Sequence, residues 1–259
     1  MRKIKSKTVV IKIGTNTLTS QNGLLDRNVI EKLVLQIASI KNKRNIIIIT
    51  SGAIGAGMQE LGLNAKPKDV ITKQVCAGIG QNILMHNYYL LFRKHGIKIA
   101  QILLTYRDLA YKETYKNLTN SLRKMLELGV IPIINENDPI SIREIGSSFG
   151  DNDNLSAMIA SRIKADLLIM LTNVDGLFSK NPNENGALLI REVKKINKRI
   201  ESMGSGSSAL GIGGMKTKIQ AAKTATGKGT AVIIANGRKE NILIDILSGN
   251  EVGTIFYSK

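Results

Sequence analysis

TVVIKIG at positions 8–14, NIIIIT at 45–50 and DLLIMLT at 166–172 decide how this chain folds. Each is a short, almost unbroken run of β-branched and aliphatic residues, the pattern of a strand buried on both faces. IKIAQILLT (97–105), VIPIIN (130–135) and TAVIIANG (230–237) have the same character. Between these runs, segments 26–43, 67–95, 115–128, 152–164 and 214–227 carry helical spacing. In 26–43, for instance, Val29, Leu33, Gln36, Ile37 and Ile40 fall along one side. Strands alternating with helices imply right-handed crossovers and a parallel sheet covered on both faces. The expected class is therefore α/β: a three-layer sandwich with a central, mainly parallel sheet flanked by helices, in a single domain over 1–259. Two stretches break the rhythm. PISIREIGSSFG (139–150) reads as a short hairpin projecting from the sheet, and ESMGSGSSALGIGG (201–214) as a flexible loop leading into a helix.

The 259 residues hold 37 Lys+Arg against 20 Asp+Glu, a net charge of +17 and a pI near 9.9. With 43% apolar and 22% charged residues, the chain is globular rather than disordered. No uncharged apolar run reaches the roughly 18 residues of a membrane span. The basic N-terminus is not a secretion signal, because Lys12 interrupts its apolar stretch at once. A lone Cys76 excludes an internal disulfide and a multi-cysteine zinc site, and suits a reducing cytoplasm. Such a charge is the footprint of a nucleic-acid binder if it clusters on one face. Here the lysines are spread along the chain, with local runs at 2–7, 41–44 and 191–199, and aromatics are only 4% with no Trp. Platforms for stacking bases are scarce, so no nucleic-acid partner is expected.

Ligands of such folds bind beyond the carboxyl ends of the strands, which makes the loops there informative. Lys12 lies inside an otherwise apolar strand and is costly unless it has a partner or lies at an edge facing solvent. Gly14 after it allows a tight turn that presents backbone amides to an anion. Thr50–Gly57 (TSGAIGAG) places small residues at a strand-to-helix turn, either for ligand approach to helix N–H groups or for close packing. Its spacing is not that of a dinucleotide fingerprint. Gly211–Lys218 (GIGGMKTK) is phosphate-loop-like in content, but Ile212 stands where a P-loop requires lysine. A glycine-rich phosphate cradle before a helix remains, with Lys216 or Lys218 reaching the transferring group, as does a plain surface loop. His86, His95 and Cys76 read as surface or packing residues, and no nucleophile-elbow motif is present.

INENDPI (134–140) and FGDNDNLSA (149–157) are the most specific signals. Between Asn135 and Asp153 lie Glu136, Asp138, Glu144, Asp151 and Asp153 against one Arg143, a net charge of −4 inside a basic protein. Asn135, Asn137, Asn152 and Asn154 interleave with the acids. Such a set suits a polar substrate bearing an amino group, or a carboxylate that orients catalytic lysines. Helix capping by Asp151 or Asp153 is the alternative, while an EF-hand is excluded by its missing Gly and Glu positions.

VVIKIGTNTL, IITSGAIGAG, VIPIINEND, FGDNDNLSA, LTNVDGLF and GIGGMKTK, in that order from about Thr8 to Gly253, resemble the amino acid kinase family. INEND together with GDNDNLSA points, within it, to the branch whose acceptor is L-glutamate. The resemblance implies ATP-dependent phosphorylation of the glutamate side-chain carboxylate, the first step of proline biosynthesis. It implies that Lys12 and Lys218 hold the phosphoryl group from opposite sides with Asp153 between them. Ser51, Gly52, Asn135, Asp138, Asp151 and Asn152 would bind glutamate. Lys12, Gly14, Thr172, Asn173 and the segment Ile212, Gly213, Gly214, Met215, Lys216, Thr217, Lys218 would contact ATP, with Mg²⁺ held mainly by the phosphates rather than by protein ligands. Asn173, Ile212 and Lys216 depart from residues common in the family. Proline is the implied feedback inhibitor, acting near the glutamate site and 51–70. A glutamyl phosphate reductase is the implied downstream partner, and a homo-oligomer the implied assembly. The C-terminal PUA domain that many members of this branch carry is not expected after GTIFYSK. The alternatives are a family member with another acceptor (acetylglutamate, aspartate or a nucleoside monophosphate) and a basic nucleic-acid-binding protein on this fold.

Overall fold

The computed structural model describes residues 1–2, 4–141, 152–204 and 214–258. From the N-terminus run β1 (Thr8–Ile13), a single turn α1 (Thr15–Leu18), α2 (Arg27–Lys41) and β2 (Asn45–Ile49). Next come α3 (Ala53–Glu60), α4 (Val70–Arg93), β3 (Ile99–Leu104), α5 (Tyr106–Ala110), α6 (Lys112–Glu127) and β4 (Ile131–Glu136). A 3₁₀ turn (Asp138–Ile140) precedes α7 (Asn152–Ile163) and β5 (Leu167–Thr172). The chain continues through β6 (Glu192–Val193), α8 (Lys198–Met203), α9 (Met215–Thr226), β7 (Ala231–Asn236), α10 (Ile242–Ser248) and β8 (Thr254–Phe256).

The strands form one sheet in the order β3-β4-β2-β1-β5-β7-β8-β6, parallel throughout except for β7 against β8. All six strands expected from the apolar runs are present, as are the five helices, and β8 forms the closing strand. The two-residue β6 is an addition. In the 139–150 stretch the described part, up to Ser141, forms the 3₁₀ turn instead of a strand. A proline at its second position has no N–H to give a ladder. Residues 142–150 lie outside the described set.

Alternation along the strands sorts the core into two layers. Val9, Ile11 and Ile13 of β1 pack with Leu33 and Ile37 of α2, Tyr88 of α4 and Ile246 of α10. Val10 faces the other way, into a layer with Leu122 of α6, Ala160 of α7 and Ile219 of α9. N-cap Asp26 and Asp69 accept from the backbone N–H groups of Val29 and Thr72 and so start α2 and α4.

The glycines of the 50–57 segment have separate tasks. A Cβ on Gly57 would overlap the Cys76 carbonyl, and one on Gly55 the Gly23 carbonyl. These two permit α3 to lie directly against α4 and the 19–25 turn. Gly80 answers from α4, where a Cβ would overlap the Ala53 carbonyl oxygen and the Gly57 nitrogen. Only Gly52, at φ +100°, serves the strand-to-helix turn itself. Among the described residues no helix is long and apolar enough to cross a membrane.

Candidate active site

The face alternation that buries Val10 determines where Lys12 goes. Two residues on, it points into the same layer, toward α7 and α9. Because β1 pairs with β2 through Lys12–Ile49 and with β5 through Lys12–Met170, the strand is interior and Lys12 is no edge lysine. It is 3% exposed. Asp153 stands in the first turn of α7 and Lys218 in the first turn of α9. Lys12 Nζ lies 2.6 Å from Asp153 Oδ1, and Lys218 Nζ 3.0 Å from Oδ2. All three side chains are buried.

A buried carboxylate is tolerable only with strong compensation. Here two ammonium groups supply it, helped by the positive end of α7 and by Thr217, whose Oγ1 is 2.8 Å from Asp153 Oδ2. Two ammonium groups thus share the Asp153 carboxylate at the carboxyl end of β1. Asp153 thus lies inside the helix turn with its oxygens on lysines. Gly14 follows Lys12, and a Cβ there would come within 3.5 Å of the Lys12 ammonium and 3.2 Å of the Leu171 carbonyl oxygen. Gly214 opens α9, and Thr217 Oγ1 also reaches its carbonyl.

A chain of side-chain amides adjoins this cluster. Asn152 Nδ2 lies 2.7 Å from the Thr50 carbonyl oxygen, 3.0 Å from Ser51 Oγ and 3.0 Å from Asn135 Oδ1. Asn135 Nδ2 in turn donates to Gln81 Oε1 at 2.8 Å. Beside it is a cavity of about 240 Å³ lined by Ala53, Gly78, Gln81, Gln101, Glu136 and Asp138. Desolvation, followed by the neighbouring Glu136 carboxylate, pushes Asp138 from its ordinary 3.8 up to about 7. Asp151 lies outside the described residues.

On the other side of the cluster, Thr172 ends β5 and its hydroxyl contacts Asn173 Oδ1 at 3.3 Å. Asn173 is exposed, as is Lys216, whereas Met215 packs half-buried against the core. Of the two lysines in the GIGGMKTK stretch it is therefore Lys218 that joins Asp153. Ile212 and Gly213 lie outside the described residues. Burial alone would raise the Asp175 carboxyl, but Lys239 at 2.6 Å and Asn236 at 3.0 Å outweigh it and hold it below the usual range. A larger cavity, of about 620 Å³, lies at the amino ends of the strands, where Lys7, Lys41, Lys43, Arg44 and Lys98 line it and no carboxylate does. Part of the excess charge is thus gathered far from the Asp153 cluster.

The model of the amino acid kinase family matches residues 7–236. The chain belongs to the amino acid kinase family. It is 47% identical over 97% of its length to the glutamate 5-kinase of Methanosarcina barkeri, covering 68% of that protein. It is 46% identical over 97% of its length to the glutamate 5-kinase of Clostridium acetobutylicum, covering 94% of it. Among solved structures, the carbamate kinase of Giardia lamblia bound to AMP-PNP superposes with a TM-score of 0.68 at 17% identity, over 98% of this chain and 99% of that one. This likeness concerns the fold.

For this amino acid kinase, the expected residues fall into two adjoining groups, Lys12, Asp153, Thr217 and Lys218 in one and Ser51, Asn135 and Asn152 in the other, joined through the consecutive residues Asn152 and Asp153. Sequence reasoning missed Gln81. Its only local signal is a polar side chain among Ala77, Gly80 and Leu84 on the buried face of α4.

Proposed function

We propose that this amino acid kinase transfers the γ-phosphoryl group of ATP to the side-chain carboxylate of L-glutamate, yielding L-glutamyl 5-phosphate, the first step of proline biosynthesis. The observation that carries the reading is the Lys12–Asp153–Lys218 cluster beside a small acidic cavity, in a chain nearly half identical to the glutamate 5-kinases of Methanosarcina barkeri and Clostridium acetobutylicum. The attacking carboxylate is already ionised at neutral pH, so no general base is required. An oxygen of glutamate bonds to the γ-phosphorus as the bond to the ADP oxygen breaks, and charge accumulates on the oxygens in between. Positioning and charge neutralisation supply most of the rate.

Lys12 and Lys218 would take opposite sides of the transferring group, and Asp153 would hold both ammonium groups in place. Backbone N–H groups at Gly52, Gly213 and Gly214 would meet the phosphates and the attacking carboxylate, whereas the Gly14 N–H expected to join them already donates to the Leu171 carbonyl and leaves Gly14 the role of giving room beside Lys12. Ser51, Asn135, Asn152, Asp138 and Asp151 would bind glutamate, the carboxylates taking its α-ammonium group. Thr172, Asn173 and the 212–218 segment would bind ATP. Asp153 commits both oxygens to lysines and Thr217, which suits Mg²⁺ arriving on the nucleotide phosphates and neutralising their charge. Proline as an inhibitor at the glutamate cavity, a reductase that consumes the labile acyl phosphate, a homo-oligomer, a cytoplasmic location and a single kinase domain over 1–259 belong to the same proposal.

Hydroxylamine traps an acyl phosphate as a hydroxamate. With ATP, Mg²⁺ and L-glutamate, we expect hydroxamate well above the level with aspartate, acetylglutamate or uridylate. ADP release with one of those acceptors, and none with glutamate, overturns the assignment.

The raised Asp138 gives this reading a pH signature. An ammonium ligand needs the ionised carboxylate, so the KM for glutamate should rise up to about tenfold per pH unit below about 7 and level off above it. Steady-state kinetics between pH 5.5 and 8.5 check this, and the slope should vanish in Asp138→Asn. Because the folded-state pKa exceeds the unfolded one, ionising Asp138 costs the folded state stability as pH rises from about 4 to 7. Asp138→Asn should accordingly melt no lower than the parent at pH 8.

A further inference from the structure

The amide chain next to the Asp153 cluster has a direction. Asn152 Nδ2 faces a backbone carbonyl, which can only accept, so its amide orientation is determined. Asn135 Oδ1 must then accept from Asn152, Asn135 Nδ2 must donate, and Gln81 Oε1 must accept. Two atoms are left over at the two ends: Asn152 Oδ1, an acceptor, and Gln81 Nε2, a donor. Both are buried, and neither has a hydrogen-bond partner among the described residues. Gln81 is 8% exposed and lines the 240 Å³ cavity together with Asp138 and Glu136. A buried amide donor without a partner is costly. The cost is recovered when a ligand supplies the acceptor.

Resting on the reading above, we infer that Gln81 is a further acceptor-binding residue, whose Nε2 donates to the α-carboxylate of the bound amino acid. The γ-carboxylate has to reach Lys12 and Lys218, which leaves the α-carbon with its two charged substituents in the cavity. There Gln81 offers the donor and Asp138 the acceptor, a complementary pair for a carboxylate and an ammonium on one carbon. The relay through Asn135 and Asn152 connects this end of the substrate to the turn at Ser51, so the donor cannot rotate away without breaking the chain. An acceptor lacking the α-carboxylate would leave Gln81 Nε2 orphaned.

Two variants test this. Gln81→Glu keeps the oxygen that accepts from Asn135 but puts a charged carboxylate oxygen in place of the donor, whereas Gln81→Met removes the amide without adding charge, so the two separate loss of the donor from repulsion of the α-carboxylate. In both, the KM for glutamate should rise at least about tenfold, as expected for losing a hydrogen bond to a charged group. The KM for ATP and kcat should stay within about twofold. The Ki of 4-aminobutanoate, which is glutamate without its α-carboxylate, should move less than about twofold in Gln81→Met. A glutamate KM within twofold of the parent in both variants overturns the inference. So does a 4-aminobutanoate Ki that shifts in parallel with the glutamate KM, because that marks a structural effect. Calorimetric titration of glutamate separates the two levels of the argument. Parent protein that binds glutamate but makes no hydroxamate defeats the functional reading, while the loss of binding in the variants still measures Gln81.

Discussion

Asp153→Asn is expected to lower kcat by about 1,000-fold or more and to cost about 3–5 kcal/mol of stability. The carboxylate lies 2.6 and 3.0 Å from two buried ammonium groups, and the amide that replaces it carries no charge to offset them. Lys12 and Lys218 would then repel each other within a layer from which water is excluded. Either lysine can relieve this by moving away, and whichever moves leaves its side of the transferring phosphoryl group. Thermal melts and single-turnover kinetics read the two losses separately. Adding Lys12→Met and Lys218→Met to Asp153→Asn removes the unbalanced charges. That triple variant should regain most of the stability and none of the activity, since apolar replacement of a buried ion cluster is often neutral. Turnover by Asp153→Asn within tenfold of the parent would remove Asp153 from the centre of the site.

Gly80→Ala should destabilise the protein by about 3 kcal/mol or more, lowering Tm by roughly 6 °C or more. The added carbon meets backbone, the Ala53 carbonyl oxygen and the Gly57 nitrogen, and backbone cannot step aside as a side chain does. Relief requires α3 to separate from α4, which also shifts Gly52 and Ser51 at the head of α3. Gly78→Ala, two residues earlier on the same helix, is the internal control. Its Cβ would meet only Pro139 Cγ, at an ordinary 3.6 Å. Higher helix propensity should make that change neutral or stabilising by up to about 1 kcal/mol. Equal melting temperatures for the two variants would contradict the close approach of α3 and α4.

Six strands were legible because doubly covered parallel strands need apolar side chains on both faces, which leaves contiguous runs in the sequence. β6 was not legible, since Glu192 and Val193 are too few to form a pattern and pair only because β8 lies beside them. Lys12 stood out as an anomaly, yet its burial follows from the position of β1 within the sheet. Asp153 carried two readings, cap and catalytic carboxylate. The approach of α9 to α7 distinguishes them, and that approach spans distant parts of the chain. Gln81 was illegible for the same reason: its meaning lies in Asn135, 54 residues away, and in the cavity they share. Charge behaved differently again. Composition counted the basic residues, but only the fold gathers four lysines and Arg44 at the amino ends of the strands.

The Asp153 cluster also bears on how activity arises as the chain is made. Lys12 comes from the first strand, Asp153 from the seventh helix and Lys218 from the ninth, so synthesis delivers the three partners early, midway and late. A nascent chain that has reached β5 can seat Lys12 between its neighbours, but the second cation is still missing. The Asp153–Lys218 pair does not exist until α9 has docked. On the roles proposed for Lys12 and Lys218, an unfinished chain therefore lacks half of the phosphoryl-holding pair, and activity should arise only once α9 has docked rather than growing in by degrees.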